Sequence, residues 1–243
     1  MISLPSGLEF VIHRHDVLES TMDTARKLAE GGCEEGAVVI SKEQTRGRGR
    51  GGRKWMSPRG GLYLSVVLRP DIPADESHKL IFLAGNAAAI GLAHVTGENI
   101  EIKWPNDLCH NELKVGGILC ESSSMGKELR FAILGMGINT DIRGLPPELE
   151  DKATSILRVT DREVDSDGVA EVVLNELSAR YKDFPGNFSE LLDEWRDLTT
   201  TLDRSVMLDG KMVRALDVDD DGFLLVDDGG AQRRVVSGTL EYP

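Results

Sequence analysis

The stretch "SHKLIFLAGNAAAIGLAHVTG", residues 77–97, is apolar almost all the way round from Leu80 to Val95. A surface helix keeps a polar face, so a helix without one must be enclosed, with a sheet beneath it. The neighbouring segments supply that sheet. "LEFVIHRHDV" (8–17), "GAVVISKEQ" (36–44) and "GLYLSVVLRP" (61–70) precede it as apolar, β-branched strands. "IEIKWPNDL" (100–108) follows as a short strand broken by proline. "ELKVGGILCESSS" and "ELRFAILGMGINT" come next as two strands around an "MGK" turn. A helix, "ESTMDTARKLAEGG", starts near Ser20 or Thr21 with Asp23 in its first turn and glycines at its end. Residues 141–166 read as loop, with Pro146 and Pro147. "VAEVVLNELSARYKDF" and "FSELLDEWRDL" then read as amphipathic helices. Beyond about residue 200, four or five short strands alternate with DG, DDG and DDGG turns, the pattern of a small antiparallel sheet or barrel. The expected architecture is α+β: a mixed sheet with helices on one face, then a compact all-β module.

Charge narrows the function. The chain has 243 residues, 41 acidic against 28 basic, for a net charge of −13. Such a surface repels nucleic acid and anionic lipid unless a local patch reverses its sign. An acidic soluble enzyme and adaptation to a salty cytoplasm fit this balance equally. Cys33, Cys109 and Cys120 lack metal-ligand spacing and follow no signal peptide, so they read as reduced thiols. His13 and His15 share one strand face without a third ligand and read as structural. No apolar run is expected to reach the ~18 residues of a membrane span. A soluble, cytoplasmic protein is expected.

One loop opposes the overall charge. In "QTRGRGRGGRKW" (44–55), arginines 46, 48, 50 and 53 interleave with glycines 47, 49, 51 and 52. Glycine lets backbone approach a ligand, and the guanidinium fork matches carboxylate and phosphate oxygens. Crowded like charges repel until anions screen them, so the loop is expected to order when an anionic ligand arrives. RNA-binding RG segments usually lie in disordered tails, whereas this one joins two strands. The reading favoured is a phosphate-and-carboxylate clamp. The P-loop pattern is absent.

Three further segments share the theme. "KWPND" (103–107) turns sharply and presents Asn106 and Asp107 at a strand end. "LKVGGIL" (113–119) sets Lys114 among apolar neighbours, two residues before Gly116 and Gly117, where a ligand can lie flat on the strand. "GMGIN" (135–139) lacks the third glycine and following helix of a dinucleotide fingerprint.

In this order and spacing, "GRGRGGRKW", "KWPND", "KVGGIL" and "GMGIN" resemble the biotin protein ligases over nearly the whole chain. The resemblance implies a catalytic domain over residues 1–198 and an SH3-like module over 199–243. It implies that biotin and ATP, with magnesium, form biotinyl-5′-adenylate. The biotinyl group then passes to one lysine of a biotin carboxyl carrier domain. Lys114, Arg48 and Arg50 match catalytic positions: Lys114 bridges the biotin carboxylate and the α-phosphate, and Arg48 and Arg50 close over the adenylate. Because the incoming lysine must attack as a neutral amine, Asp107 is the candidate to orient that amine or accept its proton. Ser20, Thr21, Met22, Gln44, Gly49, Gly116 and Gly117 join Arg48, Arg50 and Lys114 on the biotin side. Arg53, Trp55, Lys103, Asn106 and Asn139 join Arg50 and Lys114 on the ATP side.

Two departures stand out. Met22 occupies a position where many relatives carry asparagine, and Thr239 one where glutamate is common. The first strand begins near residue 8, so an N-terminal DNA-binding repressor domain is not expected, nor is DNA as a partner. Relatives occur as monomers and as dimers, so a homodimer is open. The alternatives are a lipoate–protein ligase, whose family generally lacks the arginine loop, and an RG-type nucleic-acid-binding module.

Overall fold

Residues 7–243 are described by a computed structural model. The main sheet is built from β1 (Val11–His15), β2 (Ala37–Ser41), β3 (Leu62–Leu68), β4 (Glu101–Lys103), β5 (Asp107–His110), β6 (Leu113–Met125) and β7 (Glu128–Ile138). Its order is β1-β2-β3-β7-β6-β5-β4. β1 runs parallel to β2 and the remaining neighbours are antiparallel, so the sheet is mixed. The helices are α1 (Thr21–Glu30), α2 (Leu80–Thr96), α3 (Ile156–Thr160), α4 (Ser166–Tyr181) and α5 (Phe188–Leu198).

Strand periodicity explains where each helix lies, because successive side chains point to opposite faces. Leu62, Leu64, Val66 and Leu68 of β3 join the core that also contains α2, α4 and α5. Val67 points the other way and packs with Met22, Ala25 and Ala29 of α1. The expected packing of helices on one face therefore holds for α2, α4 and α5, while α1 covers part of the opposite face. Burial on both sides is why β2 and β3 read as continuous apolar runs.

The all-round apolarity of α2 has the same origin. It lies between the sheet, α4 and α5, and Gly91 lets it close on α4: an added Cβ there would sit 3.2 Å from Val173 Cγ2. Gly97, at φ 75°, ends the helix in the left-handed region. With its preceding turn, the helical run Ala74–Thr96 is long and apolar enough to cross a membrane by length and composition, contrary to the sequence expectation. Most of it is buried in the protein core, which accounts for its apolarity.

The chain then forms β8 (Ser205–Leu208), β9 (Lys211–Val218), β10 (Leu224–Asp227), β11 (Gln232–Val235) and β12 (Leu240–Glu241). They make an antiparallel sheet in the order β11-β10-β9-β8-β12. Asp209 and Gly210, both at positive φ, make the DG turn between β8 and β9. Contacts at aromatic rings help dock this sheet on the main body. Gly222 sits so near the Phe82 ring that a Cβ would fall 2.6 Å from it. Tyr242 lies between the Lys103 ammonium and the Arg204 guanidinium, at 4.2 and 3.8 Å from its ring centroid.

Inside the body, Trp195 packs edge-on to Phe82 at 5.3 Å, and Phe188 flanks Phe82 at 5.8 Å. Trp195 is 1 % exposed. Replacing Trp195 with alanine is expected to cost about 3–5 kcal/mol of unfolding free energy, read from urea titration.

Candidate active site

The cavity of interest, about 310 Å³, lies where β6 and β7 run beyond the cover of α1. Its floor is set by glycines. Gly117 pairs directly with Gly137, and Gly135 pairs with Leu119, so all four share one face. A Cβ on Gly135 would lie 2.3 Å from Met22 Sδ, and one on Gly137 would lie 2.4 Å from Trp55 Nε1. The alternating glycines of "GMGIN" are thus spaces that admit Met22 and Trp55 against bare strand backbone.

Lys114 reaches this face through an irregularity. Asp107 pairs with Gly117 and Leu108 with Gly116, but Cys109 pairs with Lys114, leaving Val115 as an extra residue in β6. The bulge returns Lys114 to the face of Gly117. Its Nζ donates to Asp107 Oδ1 at 2.5 Å and stands 5.1 Å from the centroid of the Trp55 ring. The backbone freed by the bulge is paired elsewhere: Lys114 N–H donates to Lys152 O, and Thr154 N–H donates to Lys114 O, each at 2.9 Å. Asn139 secures the same segment by donating Nδ2 to Thr154 O at 2.9 Å. Asn106 is tied into its turn by Nδ2 donation to Ile118 O at 2.6 Å.

The other wall is the N-terminus of α1. Gln44 Oε1 accepts from Thr21 N–H at 2.8 Å and from Thr21 Oγ1 at 3.1 Å, while Gln44 Nε2 donates to Ser57 Oγ at 2.9 Å. Ser65 Oγ in turn donates to Thr21 Oγ1 at 2.8 Å. Thr21 and Gln44 are therefore fixed. Of the two N-cap candidates, Ser20 and Thr21, the cap is Ser20, but its hydroxyl makes no cap hydrogen bond. Ser20 Oγ and Trp55 Nε1 are both buried without a partner among the described residues, and both residues line the cavity. Buried orphan donors are rare in native proteins and mark places where a ligand completes the bonding.

The arginine–glycine segment folds over the opening as a short hairpin. Arg48 bridges Lys54, Gly49 N–H donates to Arg53 O at 2.7 Å, and Gly51 and Gly52 turn the chain at φ 67° and 76°. Arg48 Nη1 donates to Asp23 Oδ1 at 2.6 Å, a bond that raises the pKa of Arg48 above its already high value. Arg50 donates to Gly238 O, in the loop between β11 and β12. Burial lowers the pKa of Arg50, and repulsion from Arg53 adds to the effect. The positive charge of the loop is thus held partly desolvated at the cavity mouth, where an anion relieves it.

Most of the site residues expected from sequence line this cavity: Ser20, Thr21, Met22, Gln44, Arg48, Gly49, Arg50, Arg53, Trp55, Asn106, Asp107, Lys114, Gly117 and Asn139. Two do not. Gly116 points to the opposite face, where a Cβ would meet Leu108 and Ile138, because adjacent strand residues face apart. Lys103 is occupied with Tyr242 at the junction with the second sheet. Sequence reasoning missed Lys54, Leu145 and Lys152, as well as Thr239 as a wall of the cavity. Lys152 is brought in by its pairing beside the bulge, which leaves no local sequence signal.

Burial pushes the Cys109 and Cys120 thiols up to about 12, so neither offers a thiolate near neutral pH. Among the described residues no three His, Cys, Asp or Glu side chains gather as a metal site.

A glycine-floored hollow ringed by arginines and one carboxylate-held lysine defines an α+β protein that receives anions. The comparisons with known proteins specify it further. The model of the biotin/lipoate A/B protein ligase family matches residues 15–139. A bifunctional ligase/repressor BirA from Bacillus subtilis is 35% identical, with 93% of this chain and 72% of that protein covered. A biotin–[acetyl-CoA-carboxylase] ligase from Mycobacterium tuberculosis is 32% identical, covering 90% of this chain and 84% of the relative. The biotin protein ligase of Aquifex aeolicus, solved with biotin and ATP, superposes with a TM-score of 0.82 at 29% identity, over 95% of this chain and 97% of that one. The chain belongs to the biotin/lipoate A/B protein ligase family.

Gly137→Ala is expected to push the Trp55 ring off the cavity floor. Calorimetric titration with biotin should show affinity falling on the order of tenfold, with the far-UV circular dichroism unchanged.

Proposed function

We propose that this protein is an ATP-dependent biotin ligase that makes biotinyl-5′-adenylate and then biotinylates a lysine of a biotin carboxyl carrier domain. One observation carries the reading. Lys114, pinned by Asp107 and flanked by Trp55, shares a single cavity with Arg48, Arg50 and Arg53. Biotin's carboxylate and the triphosphate repel each other, and in-line attack on the α-phosphorus needs both held close by fixed cations. Lys114 is the only lysine that β6 and its bulge aim at the glycine floor. It is the residue to span the attacking carboxylate and the α-phosphate. Arg48 and Arg50 screen the charge from the hairpin above. Ser20 Oγ and the neighbouring Thr21 lie on the α1 side, where a polar ring of biotin would find its partners.

In the transfer step a carrier lysine must attack as a neutral amine. Asp107 holds Lys114 through one carboxylate oxygen, and the second is the group to orient or deprotonate that amine. Magnesium fits as a companion of the triphosphate, because Asp107 is the lone carboxylate among the described residues lining the cavity. Bound there, it would neutralise phosphate charge. Three free cysteines accord with a reducing cytoplasm, where ATP and biotin-dependent carboxylases meet.

A lipoate ligase is the less favoured reading, since the relatives at 35% and 32% identity carry biotin-ligase or ligase/repressor names. Pyrophosphate exchange into ATP decides the matter: it should depend on biotin and not on lipoate. Exchange with lipoate alone would refute the assignment. Lys114→Ala is expected to lose at least about 2–3 kcal/mol of transition-state stabilisation in that exchange, the scale of one oxyanion donor. Asp107→Asn should slow transfer from preformed adenylate to a carrier domain, followed by mass spectrometry. Transfer at the wild-type rate would remove Asp107 from that step.

A further inference from the structure

Arg48 lines the cavity, but the two carboxylates that bind it do not. Asp23 Oδ1, from the first turn of α1, accepts from Arg48 Nη1 at 2.6 Å. Glu121, on β6, accepts from Arg48 Nη2 at 3.3 and 3.5 Å. The Oε2 of Glu121 also accepts from Arg26 Nη2 at 2.8 Å. Arg26 lies one helical turn beyond Asp23, so α1 presents an acid and a base to the same spot. Glu121 shares the sheet face of Gly117 and Leu119, two and one strand repeats away.

Arg48 has little else to fix it. The hairpin sets its backbone, but its long side chain has many rotamers to lose. Two carboxylates, one on each Nη, remove that freedom before any ligand arrives. Its Nε–H makes no hydrogen bond among the described residues, and with the second hydrogens of the fork it remains to meet an anion. The pairs are about one-third exposed, at 35% for Arg48, 37% for Asp23 and 29% for Glu121, so they add little to folding stability. Their effect belongs to binding, as preorganisation.

We propose that Asp23 and Glu121 are positioning residues that hold the Arg48 guanidinium ready at the cavity mouth and thereby set the affinity for the bound acid's carboxylate and its adenylate. This rests on the ligase reading above. The test is biotin-dependent pyrophosphate exchange by the full chain, with Asp23→Asn, Glu121→Gln, Asp23→Glu and Arg48→Ala variants. Asp23→Asn is expected to raise KM for biotin on the order of tenfold, with an unchanged melting temperature. Asp23→Glu should restore most of the loss, and Glu121→Gln should act in the same direction. In the Arg48→Ala background Asp23→Asn should add nothing beyond about twofold, because the effect passes through Arg48. A wild-type or lowered KM in both Asp23→Asn and Glu121→Gln, or effects that multiply in full with Arg48→Ala, would overturn the proposal while leaving the ligase reading intact. Absence of biotin-dependent exchange in the wild-type protein would instead defeat the ligase reading and this proposal with it.

Discussion

One extra residue in β6 decides which way Lys114 points. Strand alternation alone would put Lys114 with Gly116, facing the core beneath α2. The bulge at Val115 puts it with Gly117 instead, beside Asp107 and Trp55. A buried, unpaired ammonium against α2 would be costly. On the site face it is half-buried, hydrogen-bonded and set over the Trp55 ring. The bulge has a second consequence. It leaves backbone groups of β6 without ladder partners, and the segment around Lys152–Thr154 supplies them. The same irregularity that aims the lysine therefore also builds the far wall of the cavity.

The glycines of β6 and β7 complement that device. A sheet face with ordinary side chains would be filled, and a ligand would have no depth to enter. Here Gly117, Gly135 and Gly137 remove side chains from three adjacent ladder positions, and Met22 and Trp55 enter from two different elements. Each neighbour is in turn placed by polar anchors rather than by packing alone: Thr21 by Gln44 and Ser65, and the arginine hairpin by Asp23, Glu121 and the Gly238 carbonyl. The hollow is bordered by rigid strands below and by a hairpin whose tethers are ionic and solvent-screened. That contrast suits a site in which the cover must yield to a ligand and the floor must not.

Much of this was legible in the residues. The apolar helix at 77–97 demanded a sheet, and most of the strands on either side of it lie where their composition placed them; the segment read as one short strand over 100–108 instead folds back as the paired strands β4 and β5. The charge of residues 46–53 against an acidic background drew attention to that loop, and most of the site residues implied by the family resemblance line one cavity. What escaped reading is non-local. The bulge depends on the register between β5 and β6, and no residue type at 115 announces it. Gly116 and Gly117 are adjacent and chemically identical, yet one serves packing and the other the site. Lys103 belongs to a motif whose neighbours face the cavity, but the Tyr242 ring, distant in sequence, claims it. The short helix α3 sits in a stretch rich in proline and polar residues, where local propensity gave no pattern to follow.

The acidic character of the chain sharpens the role of its few site cations. In a protein of net charge −13, long-range attraction for a triphosphate or a carboxylate is weak or adverse. Affinity must come from short-range contacts made with fixed geometry. Arg48 and Lys114 are both already paired to carboxylates, so neither presents a bare charge to solvent. Arg50, by contrast, is partly desolvated, crowded by Arg53 and held through a neutral carbonyl. The loop thus separates two tasks: Arg48 is oriented in advance by carboxylates, and Arg50 keeps an unsatisfied charge that an incoming anion can discharge. The Arg50 tether belongs to the segment leading into β12, which also contributes Gly238, Thr239 and Leu240 to the cavity wall.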